Sequence, residues 1–198
     1  MISEFYNRDD EQKRLKRFLS AKKGGLAVVF GRRRCGKSTL LQRVLSKHQV
    51  YFQADQRETP LQLAALAGVI ARELPAFDRA VYRTWDELLS SLYARVADHH
   101  LAICLDEFPY LAQGDPALPS VLQRYLDRQD RCVDWILCGS SQRMMHGLVL
   151  ERSAPLYGRA REILEIKPLS AGWLMSALRT DATEAIKAYA LWGGVPRY

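Results

Sequence analysis

The sequence has few cysteines, and none is placed for a metal site or a disulfide framework. Its 198 residues include four cysteines. No two of them form a C-x-x-C pair, and no histidine stands at ligand spacing from them. Cys104 and Cys138 fall within apolar, strand-like runs, where cysteine behaves as a small buried hydrophobe. A zinc-binding or disulfide-stapled class is therefore disfavoured.

The sequence also lacks a long apolar segment. No run approaches the roughly 18 residues that cross a bilayer, and the first ten residues contain no apolar signal-peptide core. With 48% apolar and 26% charged residues, the composition is that of an ordinary globular chain. We therefore expect a cytoplasmic protein with no membrane partner, organised as one domain or as one domain with a small appendage.

Residues 31–38 read GRRRCGKS, a complete G-x-x-x-x-G-K-[ST] phosphate-binding loop. Its two glycines let the backbone aim N–H groups at phosphate oxygens, Lys37 can reach the β- and γ-phosphates, and Ser38 can ligate Mg²⁺. An apolar run precedes the loop and a helical pattern follows it, which disfavours the alternative of a simple glycine-rich turn. The predicted nucleotide contacts are Gly31, Arg34, Cys35, Gly36, Lys37, Ser38 and Thr39, and Lys37 is also predicted to be catalytic.

Two carboxylates follow a second apolar run at residues 101–105. At the carboxyl end of a strand beside the phosphate loop, Asp106 would hold Mg²⁺ through a water. Glu107 would then polarise the water that attacks the γ-phosphate. The alternative is a helix N-terminus whose acidic residues suit the helix dipole.

Polar residues near two further strands are candidates for catalysis. Ser140 and Ser141 follow the strand predicted at 133–138, and either could bind the γ-phosphate or instead cap the next helix. Arg159 precedes the last predicted strand and is the candidate catalytic or state-sensing arginine, acting in cis or from a neighbouring subunit. The alternative for Arg159 is a surface arginine.

Apolar strands alternate with helices along most of the chain, which predicts an α/β fold with a parallel sheet covered on both faces. The other strands are predicted at residues 50–52, 101–105 and 162–166. After residue 166 the pattern becomes helical, near 171–178 and 181–191. We therefore divide the chain into a core at residues 1–168 and the beginning of a helical lid at 169–198.

The net charge of +7 is concentrated in two places. One is the phosphate loop, with its three consecutive arginines. The other is the first predicted helix and the turn after it, which contain Lys13, Arg14, Lys16, Arg17, Lys22 and Lys23. Such a basic face is compatible with nucleic acid, and it is also typical of a solvated helix. The three loop arginines would lie closer to the phosphates of a bound nucleotide than to a nucleic acid, so the nucleotide is the nearer anion for them.

These motifs resemble those of the archaeal-type ATPases of the STAND group, which are relatives of the AAA+ ATPases. The resemblance covers nearly the whole chain and is carried by residues 7–11, 31–39, 105–111, 138–141, 155–159 and 193–198. It implies a P-loop NTPase core of three α/β/α layers, with five strands in the order 5-1-4-3-2, followed by a helical lid. It also implies that Arg8 lies near the adenine and that Pro196 contacts it, although Gly-Gly and Pro also end helices.

Members of that family usually continue into a winged-helix domain and often into a nuclease-like domain. We therefore expect this chain to be an isolated ATPase domain or a truncated relative, with any DNA contact made through an absent C-terminal domain. The expected cofactors are ATP and Mg²⁺, with ADP as the other nucleotide partner. ATP is favoured over GTP because the sequence contains no Asn-Lys-x-Asp string.

The leading functional hypothesis is a slow, Mg-dependent ATPase that reports its nucleotide state to a partner domain. A homo-oligomer would be needed if the arginine comes from a neighbour. The alternative is a DNA-binding regulator in which ATP binding alone matters. A kinase is disfavoured by the Asp106–Glu107 pair and by the lack of an arginine-rich acceptor lid.

Overall fold

A single parallel sheet organises the computed structural model, which describes residues 7–46, 48–96, 100–128 and 132–195. Within those residues the strands are β1 Gly25–Phe30, β2 Val50–Gln53, β3 Leu101–Asp106, β4 Val133–Gly139 and β5 Ala160–Glu165. Their order is β2-β3-β4-β1-β5, and every neighbouring pair is parallel. The predicted α/β class and the order 5-1-4-3-2 are confirmed.

Helices flank this sheet and follow it. They are α1 Asp9–Ser20, α2 Lys37–Val44, α3 Thr59–Ile70, α4 Trp85–Arg95, α5 Phe108–Gly114, α6 Leu118–Leu126, α7 Gln142–Met145, α8 Ala171–Leu178 and α9 Ala182–Trp192. A 3₁₀ turn lies at Phe77–Arg79, and a π-helical segment, His146–Leu150, continues α7. Thr84 caps α4, because its Oγ1 accepts a hydrogen bond from Glu87 N.

The alternation of side chains along β1 divides the core into two layers. Leu26 and Val28 pack on the side covered by α3, α4, α5 and α6. Ala27 and Val29 pack on the opposite side, under α1 and α2. Both faces of the sheet are therefore apolar and covered, as a parallel sheet requires. Cys104 and Cys138 are buried within the second layer, as predicted.

The two helices predicted after the last strand are α8 and α9, which pack against each other. Leu169 N donates to Gly194 O at 2.7 Å, so the segment entering α8 is tied to the segment leaving α9. Several large apolar side chains of these helices face solvent, among them Leu178, Leu191 and Trp192. Among the described helices, none is both long and apolar enough to cross a bilayer.

Candidate nucleotide-binding site

The phosphate loop leaves the carboxyl end of β1 in a conformation that only glycine tolerates at its first position. Gly31 has φ +150°, and a Cβ added there would overlap the backbone carbonyl of Ile166. The close approach arises because Ile166 N donates to Phe30 O at 2.7 Å. Gly36, at φ +87°, ends the loop and is the N-cap of α2. The predicted arrangement of an apolar strand, the phosphate loop and a helix is therefore present.

The lysine of the loop lies folded back across it. Lys37 is 5% exposed, and its Nζ donates to Gly31 O at 2.9 Å and to Arg32 O at 3.0 Å. An ammonium group has three donors, so one remains for an anion. The first turn of α2 contains no acidic residue, which leaves the positive end of the helix dipole unopposed. The loop is thus arranged to receive phosphate.

The two residues predicted to hold Mg²⁺ are in direct contact. Ser38 Oγ donates to Asp106 Oδ2 at 2.7 Å, and the other carboxylate oxygen accepts from Glu107 N at 2.9 Å. Asp106 is 1% exposed. A hydroxyl and a carboxylate are the hard oxygen donors that Mg²⁺ prefers, and Mg²⁺ takes few protein ligands because it keeps waters and substrate phosphates. These side chains therefore fit the expected ion.

Sequence reasoning missed Tyr51, which completes the environment of Asp106. Its hydroxyl donates to the same Oδ2 at 2.6 Å. Burial and the neighbouring Asp106 raise the pKa of Tyr51, so the hydroxyl keeps its proton and remains a donor. The position of Tyr51 in β2 could have indicated this contact. β2 pairs with β3 in a register that sets Tyr51 opposite Cys104, two residues before Asp106.

The predicted general base is held by the tip of the neighbouring strand. Glu107 has φ +54°, in the left-handed region, and its side chain reaches the residue that follows β4. Its Oε2 accepts from Ser140 N at 3.2 Å and from Ser140 Oγ at 3.0 Å. Ser141 instead caps α7, since its Oγ accepts from Met144 N at 3.4 Å. The structure thus separates the two serines: Ser140 contacts Glu107, and Ser141 is the cap.

The phosphate loop also reaches this strand tip through Arg33, which sequence reasoning did not single out. Arg33 Nε lies 3.4 Å from Ser140 Oγ, and Arg33 Nη2 lies 3.3 Å from the hydroxyl of Tyr110 on α5. All three loop arginines line a cleft of about 690 Å³, together with Trp192 and Val195. The cleft lies between the phosphate loop and the end of α9.

Arg8, predicted to lie near the adenine, contacts two backbone carbonyl groups in the structure. It is 4% exposed, and its Nη2 donates to Cys35 O at 3.2 Å and to Lys167 O at 2.5 Å. It therefore ties the phosphate loop to the segment between β5 and α8. A contact of Arg8 with adenine remains a prediction, and Pro196 lies outside the described residues.

The remaining predicted loop residues differ in how they face the cleft. The Cys35 side chain is fully buried, so only its backbone can contact a phosphate. Arg34 is exposed with φ +64°, and Thr39 is half-buried in the first turn of α2. The first helix presents Lys13, Lys16 and Arg17 to solvent, opposite its buried side, which is the pattern of a solvated face.

Arg159 lies at the end of the sheet where the strands begin, whereas the phosphate loop lies at their carboxyl ends. This position does not suit action in cis, which was one of its two predicted roles. It precedes β5 and lines a surface cleft with Gly25, the first residue of β1. Its Nε and Nη2 donate to the two carboxylate oxygens of Asp127 at 2.8 and 2.7 Å. Five residue steps along β1 separate Gly25 from the phosphate-loop edge, about 17 Å of strand. Action in cis therefore has no geometric basis, and action on a neighbouring subunit remains a prediction.

The parallel sheet, the phosphate loop and the Ser38–Asp106 pair define the P-loop class of nucleotide-binding proteins. Residues 5–198 match the family model described as an ATPase domain predominantly from Archaea. The chain belongs to this family.

Three relatives show how far the similarity extends. An uncharacterized protein of Methanocaldococcus jannaschii, MJECL04, is 29% identical over 98% of this chain and 43% of its own length. The Walker-type ATPase PABY2304 of Pyrococcus abyssi has a TM-score of 0.70 at 20% identity, covering 97% of this chain and 65% of that one. The STAND protein PH0952 of Pyrococcus horikoshii, with a tetratricopeptide repeat sensor, has a TM-score of 0.68 at 15% identity, covering 98% and 29%.

The chain spans less than half of the curated relative's length and 65% of the P. abyssi structure. At such identities the two solved structures show that the fold is shared.

Proposed function

We propose that this chain is a nucleotide-switched ATPase domain that binds Mg·ATP, hydrolyses it slowly and passes its nucleotide state to a partner or effector domain. One observation carries the proposal. Ser38 meets Asp106, and Glu107 meets Ser140, at one edge of the sheet beside the phosphate loop. A loop that only bound phosphate would not need the carboxylate of Glu107 to be held by Ser140 at the end of the neighbouring strand.

Each of these residues has a role in hydrolysis. Lys37 and the N-terminus of α2 hold the β- and γ-phosphates, while Ser38 and Asp106 would hold Mg²⁺, which neutralises phosphate charge. Glu107, fixed by Ser140, orients a water and accepts its proton as the water oxygen bonds to the γ-phosphorus. The bond between that phosphorus and the bridging oxygen breaks, which leaves ADP and phosphate.

The switch would act through the contacts of the loop with the segment that leads to α8 and α9. Arg8 bridges Cys35 in the loop to Lys167, two residues before Leu169, whose amide is bonded to Gly194. A shift of the loop on phosphate binding is thereby coupled to both ends of the helical pair. We propose that residues 169–198 act as the lid and that residues 1–168 form the core it closes on.

Lys37→Ala tests nucleotide binding directly. We expect Mg·ATP at 100 times its Kd to stabilise the wild-type chain by about 2.7 kcal/mol and the Lys37→Ala chain not at all, because the loop loses its ammonium. Thermal unfolding with and without Mg·ATP measures the difference. Lys23→Ala removes an exposed lysine before β1 and should behave as wild type. A wild-type chain that Mg·ATP does not stabilise would refute the proposal.

We further propose that Arg159 acts on a neighbouring copy of the chain. Its guanidinium is at the surface, paired with the half-exposed Asp127, so a second copy could reach it. Turnover per chain should then rise with protein concentration, and Arg159→Ala should remove that rise. Phosphate release measured over a range of concentrations provides the test. A wild-type turnover that is constant over the range would contradict the role.

A further inference from the structure

We propose that Arg33 is the residue that detects the γ-phosphate in cis, connecting the phosphate loop to the water-activating Glu107 through Ser140. The inference rests on the proposed function and names a residue that neither the motif nor the family description assigns. The phosphate-loop motif leaves this position free, so any residue type would satisfy it. The reason for an arginine must come from what the side chain contacts.

Arg33 begins a continuous chain of hydrogen bonds across the site. Its Nε donates to Ser140 Oγ at 3.4 Å, and that hydroxyl donates in turn to Glu107 Oε2 at 3.0 Å. The other end of the guanidinium donates to Tyr110 on α5 at 3.3 Å. Arg33 is therefore in contact with the tip of β4 and with the helix that begins directly after Glu107.

The γ-phosphate must lie between these groups. Lys37 reaches the β- and γ-phosphates from one side, and the water held by Glu107 attacks the γ-phosphorus from the other. A guanidinium that starts in the loop and ends at Ser140 crosses that interval. Arg159, at the opposite edge of the sheet, cannot do so within one chain.

The present contacts of Arg33 are easily exchanged for phosphate. At 3.3 and 3.4 Å they are longer than the 2.7–3.2 Å of ordinary N–H···O bonds, and the residue is exposed, so little desolvation opposes its movement. Charged phosphate oxygens are stronger acceptors than neutral hydroxyls. Arg33 should therefore move to the γ-phosphate in ATP and stay on Ser140 and Tyr110 in ADP.

This exchange predicts a defect confined to ATP. Arg33→Ala should weaken binding of a non-hydrolysable ATP analogue by about 10- to 100-fold, as expected for loss of a charged hydrogen bond. ADP affinity should stay within about twofold, because no γ-phosphate is present. Turnover should fall by about 10³-fold or more, in the range of arginines that contact a transferred phosphoryl group. Arg33→Lys should recover part of the affinity and little of the rate, because an ammonium cannot form the planar fork.

Titration calorimetry of both nucleotides with Mg²⁺ and phosphate-release assays provide the measurements. Arg143→Ala, an exposed arginine on α7 near the same sheet edge, is the charge-matched control and should leave every value unchanged. Equal weakening of ADP and the ATP analogue by Arg33→Ala, or no weakening, would overturn the inference. So would an equal, ATP-confined loss in Arg32→Ala, because it would reflect loop charge and not this side chain. If the wild type binds neither nucleotide, both the proposed function and the role of Arg33 fail. If the wild type and Arg33→Ala both bind and hydrolyse ATP normally, only the role of Arg33 fails.

Discussion

Glu107→Gln should slow ATP hydrolysis by orders of magnitude while leaving ATP bound. Glutamine keeps the size of the side chain and an oxygen that can accept from Ser140 N and Oγ. It cannot take a proton from the attacking water, so the chemical step should slow by about 10²- to 10⁴-fold, the usual contribution of a positioned general base. The phosphate loop, Lys37 and the Ser38–Asp106 contact are untouched, so affinity for Mg·ATP should remain near that of the wild type.

The experiment pairs a phosphate-release assay with a measurement of ATP affinity on the same preparation. Glu165→Gln is a suitable control, because Glu165 ends β5 on the same edge of the sheet and contacts Gln142 and Lys167 at the surface. It should hydrolyse ATP at the wild-type rate. If Glu107→Gln hydrolyses bound ATP as fast as the wild type, Glu107 is not the base. If it loses ATP binding as well, its role is to hold the site together.

The sequence was most informative where a short string fixes both a local conformation and a chemistry. The phosphate loop, the strand end at Asp106 and Glu107, and the serines after β4 could be located because each follows an apolar run that becomes a buried strand. Parallel strands bring their carboxyl ends to one edge, so proximity of these groups followed from the fold class. The order of the strands came only from the family resemblance.

Contacts between distant segments could not be derived in the same way. Arg8 reaches Lys167 across 159 positions, and Arg33 reaches Tyr110 across 77, so both depend on how helices dock on the sheet. Tyr51 depends on the register of β2 against β3. The position of Arg159 could have been derived from the sequence. In a parallel sheet, a residue that precedes a strand lies at the opposite end of the sheet from residues that follow a strand.

Gly31→Ala should unfold or severely destabilise the phosphate loop, with the largest effect on stability of any small substitution in the site. The methyl group would overlap the carbonyl of Ile166, which is backbone and is fixed by the bond of Ile166 N to Phe30 O. The positive φ adds strain of about 1–3 kcal/mol for a residue with a Cβ. Relief requires β1 and the end of β5 to separate, and Gly31 O is also an acceptor for Lys37 Nζ.

We therefore expect Gly31→Ala to lower the free energy of unfolding by about 3 kcal/mol or more, as other core clashes with strained backbone do, and to abolish nucleotide binding. Urea unfolding without nucleotide and titration with Mg·ADP measure the two effects separately. Gly68→Ala is the matched control, since a Cβ at Gly68 meets nothing within 4 Å. Its helical position in α3 should make alanine neutral or stabilising by up to about 1 kcal/mol. Normal stability and normal ADP binding in Gly31→Ala would mean that β5 moves freely relative to the loop, and the coupling between the phosphate site and the segment leading to α8 would then lose its physical basis.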